Sequence, residues 1–238
     1  MMLKCLFPEK VYTWLKTCKN SLNGQWEKGK ELFLGSIYRT EMGKKLYWKR
    51  RGHDLFTTYG HSRGGQETLR EVLREVRPRR LFDFGCGNGR NFSLYAELGI
   101  EEVIGQDISA SAIAYARKRG FSNVSLFLGS LEKYDPQRHF DIAISNRVMQ
   151  HLDEESLKKH LEILASLTDR IYINELTRNE CEKRGIQQDN LGFYIFLHDY
   201  SALMEKHGFF LEKEFLVGEQ SRRLYARRDF PVTPPPKN

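Results

Sequence analysis

Apolar positions after residue 78 alternate between short runs and longer amphipathic segments. Five runs predict strands, at residues 81–84, 103–107, 124–128, 140–145 and 171–175. Between the runs, apolar residues recur three and four positions apart, as in Leu157, Leu161 and Leu164, which predicts helices. Strands that alternate with helices in this way are typical of βαβ units around a parallel sheet.

The last part of the sequence predicts an antiparallel addition to that sheet. A helix over 199–207 ends at Gly208, and strand-like runs at 209–217 and 221–228 flank Gly218, a spacing that permits a hairpin. The expected fold is therefore α/β, with a doubly wound, mostly parallel seven-stranded sheet, an antiparallel C-terminal hairpin and a helical N-terminal extension. We expect a basic extension or lid over 1–65, the main domain over 66–229 and a flexible tail over 230–238.

Composition narrows the class of protein. The 238 residues are 40% hydrophobic, enough for a core, yet no apolar stretch approaches the roughly 18 residues of a membrane span. Charge and Pro8 interrupt the start before a signal-like region develops. The four cysteines show no CxxC spacing, and the histidines form no metal-ligand cluster. A reduced, cytoplasmic protein without a structural metal is expected.

The formal net charge of +7 is unevenly distributed. Residues 1–80 carry +10 and the remaining residues carry −3. The run at 44–51 contains two aromatic residues and the five cations Lys44, Lys45, Lys49, Arg50 and Arg51. Such a run is either a binding patch for RNA or another phosphate-bearing partner, or a solvated helix face.

A glycine-rich turn follows the first predicted strand. Gly85, Gly87 and Gly89 allow a tight turn and a close ligand approach at the N-terminus of the next helix. Asp107 lies 20 residues after Gly87, at the end of the second strand, where a carboxylate can accept both hydroxyls of a ribose. Arg90 occupies the position where a dinucleotide fingerprint needs a small residue, which disfavours a dinucleotide oxidoreductase.

These residues resemble the class I S-adenosylmethionine-dependent methyltransferases. The run at 81–89 is similar to the first motif of that family, and the run at 105–109 is similar to its second motif. Residues 140–146 with 148–152 resemble the fourth-strand motif and the helix that follows it. Gly208 followed by two strands resembles the final hairpin. The resemblance covers about residues 66–228.

The resemblance implies S-adenosyl-L-methionine as cofactor and assigns roles position by position. Asp107 would hold the ribose hydroxyls, Asp83 would act near the amino group, and Ser130 stands where the family often has an aspartate that binds adenine. Arg51 or Arg63 would pair with the carboxylate. The implied cofactor-binding residues are Asp83, Gly85, Cys86, Gly87, Asp107, Ile108, Ser130, Leu131 and Asn146.

Candidate catalytic residues are less constrained by spacing. His151 is either a general base at the mouth of the site or a packed or capping histidine. Tyr59, with Tyr47 and Trp48, would form an aromatic wall beside a sulfonium or act as ordinary packing residues. Glu175 ends the fifth predicted strand, where a carboxylate either faces the substrate or is solvated.

Three functions remain open at this point. The first is methyl transfer to a small-molecule acceptor, with the cationic N-terminal part favouring an anionic one. The second is an RNA methyltransferase that binds RNA through the run at 44–51. The third is a protein that binds the adenosyl ligand without catalysing transfer.

Overall fold

Seven strands form one mixed sheet in the residues that the computed structural model describes, which are 48, 63–135, 138–177, 181–182, 195–217 and 220–228. In chain order the strands are β1 (Arg80–Phe84), β2 (Glu102–Asp107), β3 (Val124–Leu128), β4 (Ile142–Asn146), β5 (Arg170–Asn174), β6 (Phe209–Val217) and β7 (Gln220–Arg227). Across the sheet their order is β3-β2-β1-β4-β5-β7-β6. Strands β1 to β5 pair in parallel, whereas β7 is antiparallel to both β5 and β6. The predicted sheet and its antiparallel C-terminal hairpin are confirmed.

Helices cover both faces of this sheet. The α-helices among the described residues are α1 (Arg63–Val76), α2 (Phe92–Glu97), α3 (Ala110–Lys118), α4 (Glu154–Leu167) and α5 (Tyr200–Lys206). Short 3-10 turns follow β3 and β4, at Leu131–Lys133 and Met149–His151. Ser109 and Asp153 begin α3 and α4, and each side chain accepts a hydrogen bond from a backbone N–H in the first turn. Both side chains thereby accept from N–H groups that have no acceptor within the helix.

Two apolar clusters hold the layers together. Phe82 and Phe84 of β1 face α4, where Leu157 and Leu161 are buried against them. Leu81 points to the opposite face, which is covered by α1, α2 and α3. Alternate residues of β1 are therefore buried on both faces, as expected for a central strand of a parallel sheet. This arrangement leaves only the ends of the central strands for chemistry.

The strand order creates a crevice at one end of the sheet. β1 lies between β2 and β4, and the chain that leaves β3 crosses over β2 and β1 to reach β4. At such a reversal of strand order, the loops after the two central strands diverge, and open α/β sheets bind their ligands beyond these carboxyl ends. The loops that follow β1, β2 and β4 therefore form the candidate site.

Several sequence expectations fall outside the described residues. These include Tyr47, Tyr59, Arg51, the cationic run at 44–51 except Trp48, and the tail at 230–238. The described residues lie within one unit that spans Trp48–Asn238. The domain boundaries at 65 and 229 stay predictions. Within the described ranges, no helix is long and apolar enough to cross a membrane.

Candidate functional site

The loop after β1 turns through glycines in left-handed conformations. Gly85 and Gly87 have φ angles of +68° and +56°. A Cβ atom on Gly85 would lie 2.3 Å from Cγ2 of Val148, in the loop after β4, so only glycine fits there. A Cβ atom on Gly87 would meet nothing within 4 Å. Gly85 therefore allows the loop after β1 to pack closely against the loop after β4. Gly87 borders open space at the carboxyl end of β1.

Asp107 connects the glycine loop to the start of α3. Its Oδ2 atom accepts a hydrogen bond from the backbone N–H of Gly87 at 2.9 Å, and its Oδ1 atom accepts one from Ser109 at 2.7 Å. Burial raises the pKa of Asp107, while the backbone N–H bonds oppose that rise. Each carboxylate oxygen keeps a second lone pair. The side chain is thus fixed in position and still able to accept two hydroxyl groups.

Gln106 supports the same edge, and the sequence did not single it out. Its Nε2 atom donates to the carbonyl of Gly129, and its Oε1 atom accepts from the N–H of Gly85 at 3.3 Å. The backbone carbonyl of Gln106 also accepts from Cys86 at 2.8 Å. Gln106 is 2% exposed in the structure. The signal available in the sequence was a polar residue within an otherwise apolar strand. Gln106 ties the loops after β1 and β3 to β2.

Asp83 lies beneath the glycine loop, on the face that α2 covers. Its carboxyl group is 2% exposed and accepts a hydrogen bond from the Tyr95 hydroxyl at 3.0 Å. Burial raises the pKa of Asp83 to about 7, although the Tyr95 bond and the nearby Arg90 guanidinium lower it. Arg90 is itself half-buried, and burial lowers its pKa. Because Asp83 is enclosed, it reaches a ligand through neighbouring groups rather than by direct contact.

Glu175 organises the loop after β4. Its Oε1 atom accepts from the Ser145 hydroxyl at 2.7 Å and from the Val148 N–H at 2.9 Å, while Oε2 accepts from the Gln150 N–H at 3.3 Å. The residue is 2% exposed, and burial raises its pKa. The expectation of a solvated carboxylate at this strand end is therefore wrong. Three donors converge on Glu175 because β4 and β5 end side by side.

The same loop contains a strained residue and an amide pair. Arg147 has a φ angle of +63°, a conformation that costs a non-glycine residue roughly 1 kcal/mol or more. Its N–H donates to the carbonyl of Asn174 at 3.0 Å. Asn146, at the end of β4, accepts from the Asn174 side chain at 3.1 Å. Asn146 is half-buried at the crevice, in the strand-end position that the sequence predicts.

Other predicted cofactor-binding residues differ in what they present. Ser130 and Ile108 are half-buried, and the N–H of Gly129 bonds the carbonyl of Asp107 at 3.0 Å, so these loops lie side by side. Leu131 is fully buried among core residues, which leaves only its backbone for a ligand. Cys86 is 7% exposed, and burial raises the pKa of its thiol, so it is an unreactive packing residue.

His151 lies at the edge of the crevice in contact with Trp48. The two rings are edge to face, with centroids 4.7 Å apart. The Trp48 carbonyl accepts a hydrogen bond from the Ser109 hydroxyl at 3.3 Å. Ser109 also donates its N–H to Asp107 at the carboxyl end of β2. Trp48 therefore connects His151 to the carboxyl end of β2 at the opening of the site. Tyr59, the other predicted catalytic residue, lies outside the described residues.

The assembled site suits an organic ligand with hydroxyl and zwitterionic groups. The partly exposed carboxylate of Asp107, an open glycine loop, the buried carboxyl of Asp83 and the half-buried guanidinium of Arg90 lie at or beneath the carboxyl ends of β1 and β2. In the parts of the chain that the structure describes, no group of three metal-ligating side chains occurs. Recognition there rests on hydrogen bonds, shape and charge.

Two sequence comparisons agree with this arrangement. The family model described as a methyltransferase domain matches residues 81–169. An uncharacterized protein of Haemophilus influenzae is 28% identical over 128 residues, which make up 50% of this chain and 50% of that protein. The match therefore spans half the length of this relative.

Solved structures share the fold at low sequence identity. An O-methyltransferase family protein from Burkholderia thailandensis superposes with a TM-score of 0.63 at 15% identity, over 85% of this chain and 70% of that one. The DhpI–SAH complex gives a TM-score of 0.61 at 17% identity, over 77% and 94% of the two chains. Magnesium protoporphyrin IX methyltransferase from Synechocystis with bound SAH gives 0.56 at 20% identity, over 79% and 88%. These structures share the α/β fold of this chain, and the methyltransferase-domain model matches the part that contains the glycine loop and Asp107.

Proposed function

We propose that this protein transfers the methyl group of S-adenosylmethionine to a small-molecule acceptor that carries a negative charge. The observation that carries the proposal is the Asp107 carboxylate, fixed by the N–H groups of Gly87 and Ser109 beside open space. A carboxylate in that position suits a ribose with two free hydroxyls and repels a phosphate. A cytoplasmic location stays a prediction.

In this proposal the cofactor-binding residues act from three adjacent strand ends. Asp107 holds the ribose at the end of β2, Gly85 and Gly87 let the chain approach the ligand after β1, and Asn146 contacts the methionine part at the end of β4. Because β1 lies between β2 and β4, a ligand held at the ends of both β2 and β4 crosses the glycine loop after β1. Ser130, Ile108 and the backbone of Leu131 would border the adenine.

The amino-acid end of the cofactor would face the charged groups around Asp83. The carboxyl of Asp83 would favour the ammonium through the loop, and Arg90 would favour the carboxylate. Arg90 has no hydrogen-bond partner for its guanidinium among the described residues, and Arg147 is close enough to lower its pKa further. This support makes Arg90 a further candidate beside Arg63 and Arg51, whose side chains lie outside the described residues.

Catalysis would depend mainly on placement. The cofactor supplies a methyl group that its sulfonium already activates, so the protein has to align an acceptor in line with the breaking bond. Asp107 and Asn146 would fix the donor from two sides. Trp48 and His151 would form one wall of the acceptor space, where an aromatic ring also stabilises nearby positive charge. An anionic acceptor matches the excess of cations in residues 1–80.

Calorimetric titration with S-adenosylhomocysteine, followed by an assay of its release from S-adenosylmethionine with candidate acceptors, tests this function. We expect saturable binding of one ligand per chain and turnover with acidic metabolites. Absence of binding by the full-length protein would overturn the proposal. Binding without turnover across phenols, carboxylates, amines and thiols would favour the non-catalytic alternative. Turnover with RNA alone would favour the RNA methyltransferase.

A further inference from the structure

The side-chain amide of Gln150 has one possible orientation. Its Oε1 atom lies 2.9 Å from the backbone nitrogen of Leu176, which can only donate a hydrogen bond. A guanidinium nitrogen of Arg147 donates to the same oxygen at 3.3 Å. Turning the amide over would place its NH₂ group against both donors. Oε1 of Gln150 is therefore the acceptor, and its Nε2 atom is the donor.

Gln150 is also held by its backbone. Its N–H donates to Glu175 at 3.3 Å, and its carbonyl accepts from the N–H of Phe196 at 2.7 Å. The residue is 6% exposed. Four hydrogen bonds from three segments of the chain thus keep the amide in place, and its donor end points in a fixed direction.

That donor end meets the imidazole of His151. Nε2 of Gln150 lies 3.3 Å from Nε2 of His151. Because the amide nitrogen can only donate, the ring nitrogen has to accept. A neutral imidazole that accepts at Nε2 carries its proton on Nδ1. Trp48 packs against the ring edge to face and opposes its rotation.

We infer that Gln150 is a positioning residue that holds His151 in the Nδ1–H tautomer, and that His151 in this form favours acceptors whose nucleophilic atom has no proton to lose. This inference rests on the proposed methyl transfer. The lone pair of Nε2 is engaged by Gln150, and Nδ1 already bears a proton, so neither nitrogen of His151 is available as a base. The inference replaces the general-base role that the sequence left open for this residue.

The charge and electron balance agree with such acceptors. The acceptor's electron pair forms the new bond to the methyl carbon, and the pair of the broken carbon–sulfur bond stays on sulfur. The positive charge of the sulfonium and the negative charge of a carboxylate, phenolate or thiolate disappear together, and no proton is released. An alcohol or an ammonium would need a base, which His151 does not provide in this tautomer.

The tautomer can be measured directly by nitrogen NMR of the full-length protein labelled at histidine. At about pH 8, where imidazoles are largely neutral, protonated and unprotonated ring nitrogens give well separated signals. The protein contains its own references. Nδ1 of His160 and of His207 contact backbone carbonyls at 2.6 and 2.8 Å, which requires Nδ1–H. Nε2 of His198 contacts the Leu152 carbonyl at 2.8 Å, which requires Nε2–H.

We expect the signals of His151, assigned by their loss in His151→Gln, to match those of His160 and His207. In water, free histidine prefers the Nε2–H form, so this outcome is not the default. Signals of His151 that match His198 would overturn the inference. The measurement needs neither cofactor nor acceptor, so it can fail independently of the proposed function, which fails if S-adenosylhomocysteine does not bind.

Two variants at position 150 sharpen the test. Gln150→Glu keeps an oxygen for Leu176 and Arg147 but replaces the amide donor with an acceptor, so His151 should switch to Nε2–H. Gln150→Met removes the amide donor at Nε2 of His151, so the ring should shift towards the form preferred in water. Thermal denaturation identifies variants that do not fold. An unchanged His151 tautomer in either folded variant would contradict the role of Gln150.

The acceptor class is tested with 4-nitrophenol and phenol as matched probes. At about pH 8 the first is ionised and the second is protonated. We expect the wild type to form S-adenosylhomocysteine only with 4-nitrophenol. Gln150→Glu, in which Nδ1 of His151 no longer carries the proton, should raise the rate with phenol relative to 4-nitrophenol by about tenfold or more. Equal rates with both probes in the wild type would overturn the inferred acceptor class. If neither probe reacts, the nitrogen NMR signals of His151 decide whether the inference holds.

Discussion

At the scale of single residues, Asp107 and Asp141 form a matched pair at opposite ends of the sheet. Each accepts hydrogen bonds from two backbone N–H groups, Asp107 from Gly87 and Ser109, and Asp141 from residues 79 and 80. Only Asp107 lies at the carboxyl end of the strands. The pair therefore separates a structural contribution from a ligand contact.

Asp107→Ala should weaken binding of S-adenosylhomocysteine by about 10- to 100-fold, since a charge-assisted hydrogen bond contributes roughly 1.5–3 kcal/mol. Asp141→Ala should leave the affinity within about twofold of the wild type, although both variants lose stability. Calorimetric titration gives both dissociation constants. Equal losses of affinity in the two variants would indicate a general effect on folding.

Asp83 should make stability depend on pH. Its pKa is about 7 in the folded protein, above the ordinary value of 3.8, so the folded state binds a proton more tightly than the unfolded state does. The stability from this group is present below about pH 4 and is lost as the pH rises through about 7. Between about pH 5 and pH 8 this loss amounts to roughly 2–3 kcal/mol.

Asp83→Asn should remove that loss, so the variant gains stability relative to the wild type as the pH rises. Urea denaturation of both proteins at the two pH values measures the difference. Tyr95→Phe is the matched control, because it deletes the hydrogen bond that lowers the pKa of Asp83 and should extend the loss to higher pH. A gain of the same size at both pH values would show that Asp83 does not titrate in this range.

At the scale of elements, Gly85 and Gly87 of the glycine loop are both left-handed but have different surroundings. Gly85→Ala adds a clash with Val148 to the backbone strain, whereas Gly87→Ala adds strain alone, on the order of 1 kcal/mol. Thermal denaturation should therefore show a larger loss for Gly85→Ala. Gly87→Ala should lose most of its affinity for S-adenosylhomocysteine, because its methyl group projects into the open space. Normal affinity in that variant would place the ligand elsewhere.

The loop after β4 should depend on the buried carboxylate of Glu175. Glu175→Ala leaves three donors unpaired, each costing about 1–3 kcal/mol, and should destabilise the protein strongly. Glu175→Gln keeps one oxygen for Ser145 and Val148 and should cost less. Hydrogen exchange of the Val148 and Gln150 amides should accelerate in both variants, more in the alanine variant. Unchanged hydrogen exchange in Glu175→Ala would show that the loop after β4 keeps its structure without Glu175.

At the scale of the whole molecule, the charge partition separates two kinds of acceptor. Residues 81–238 have a small negative balance, and the cations are concentrated before them. If the run at 44–51 bound RNA through five phosphates, the logarithm of the affinity would fall with the logarithm of salt concentration with a slope of about −4. We expect no such slope, because we propose a small acceptor.

Fluorescence anisotropy with a labelled RNA hairpin at low and moderate salt measures this slope. The wild type should bind no more tightly than about 1–100 μM at physiological salt, the range of non-specific binding. Replacing Lys44, Lys45, Lys49 and Arg50 with glutamine, with Arg51 left in place, should raise the KM for an anionic acceptor and leave S-adenosylhomocysteine binding unchanged. Tight RNA binding that these substitutions abolish would favour an RNA methyltransferase.

The sequence by itself determined the strand and helix pattern, the antiparallel hairpin and the order of Gly85, Gly87 and Asp107. These features follow from local periodicity, helix caps and glycine spacing, which act over a few residues or one βαβ unit. Fold class and cofactor class were readable because a parallel sheet brings the ends of successive strands to one edge.

Only the tertiary structure decided which polar groups are enclosed and what they touch. Asp83 accepts a hydrogen bond from Tyr95, and Glu175 accepts one from the loop after β4. The Gln150 side chain contacts His151, and its orientation is fixed by the hydrogen bond from Leu176. Their protonation states and tautomers depend on partners that are distant in sequence, or on an amide orientation that distant partners set. No spacing along the chain encodes that orientation, because hydrogen-bond direction and desolvation arise only when the packed elements exclude water.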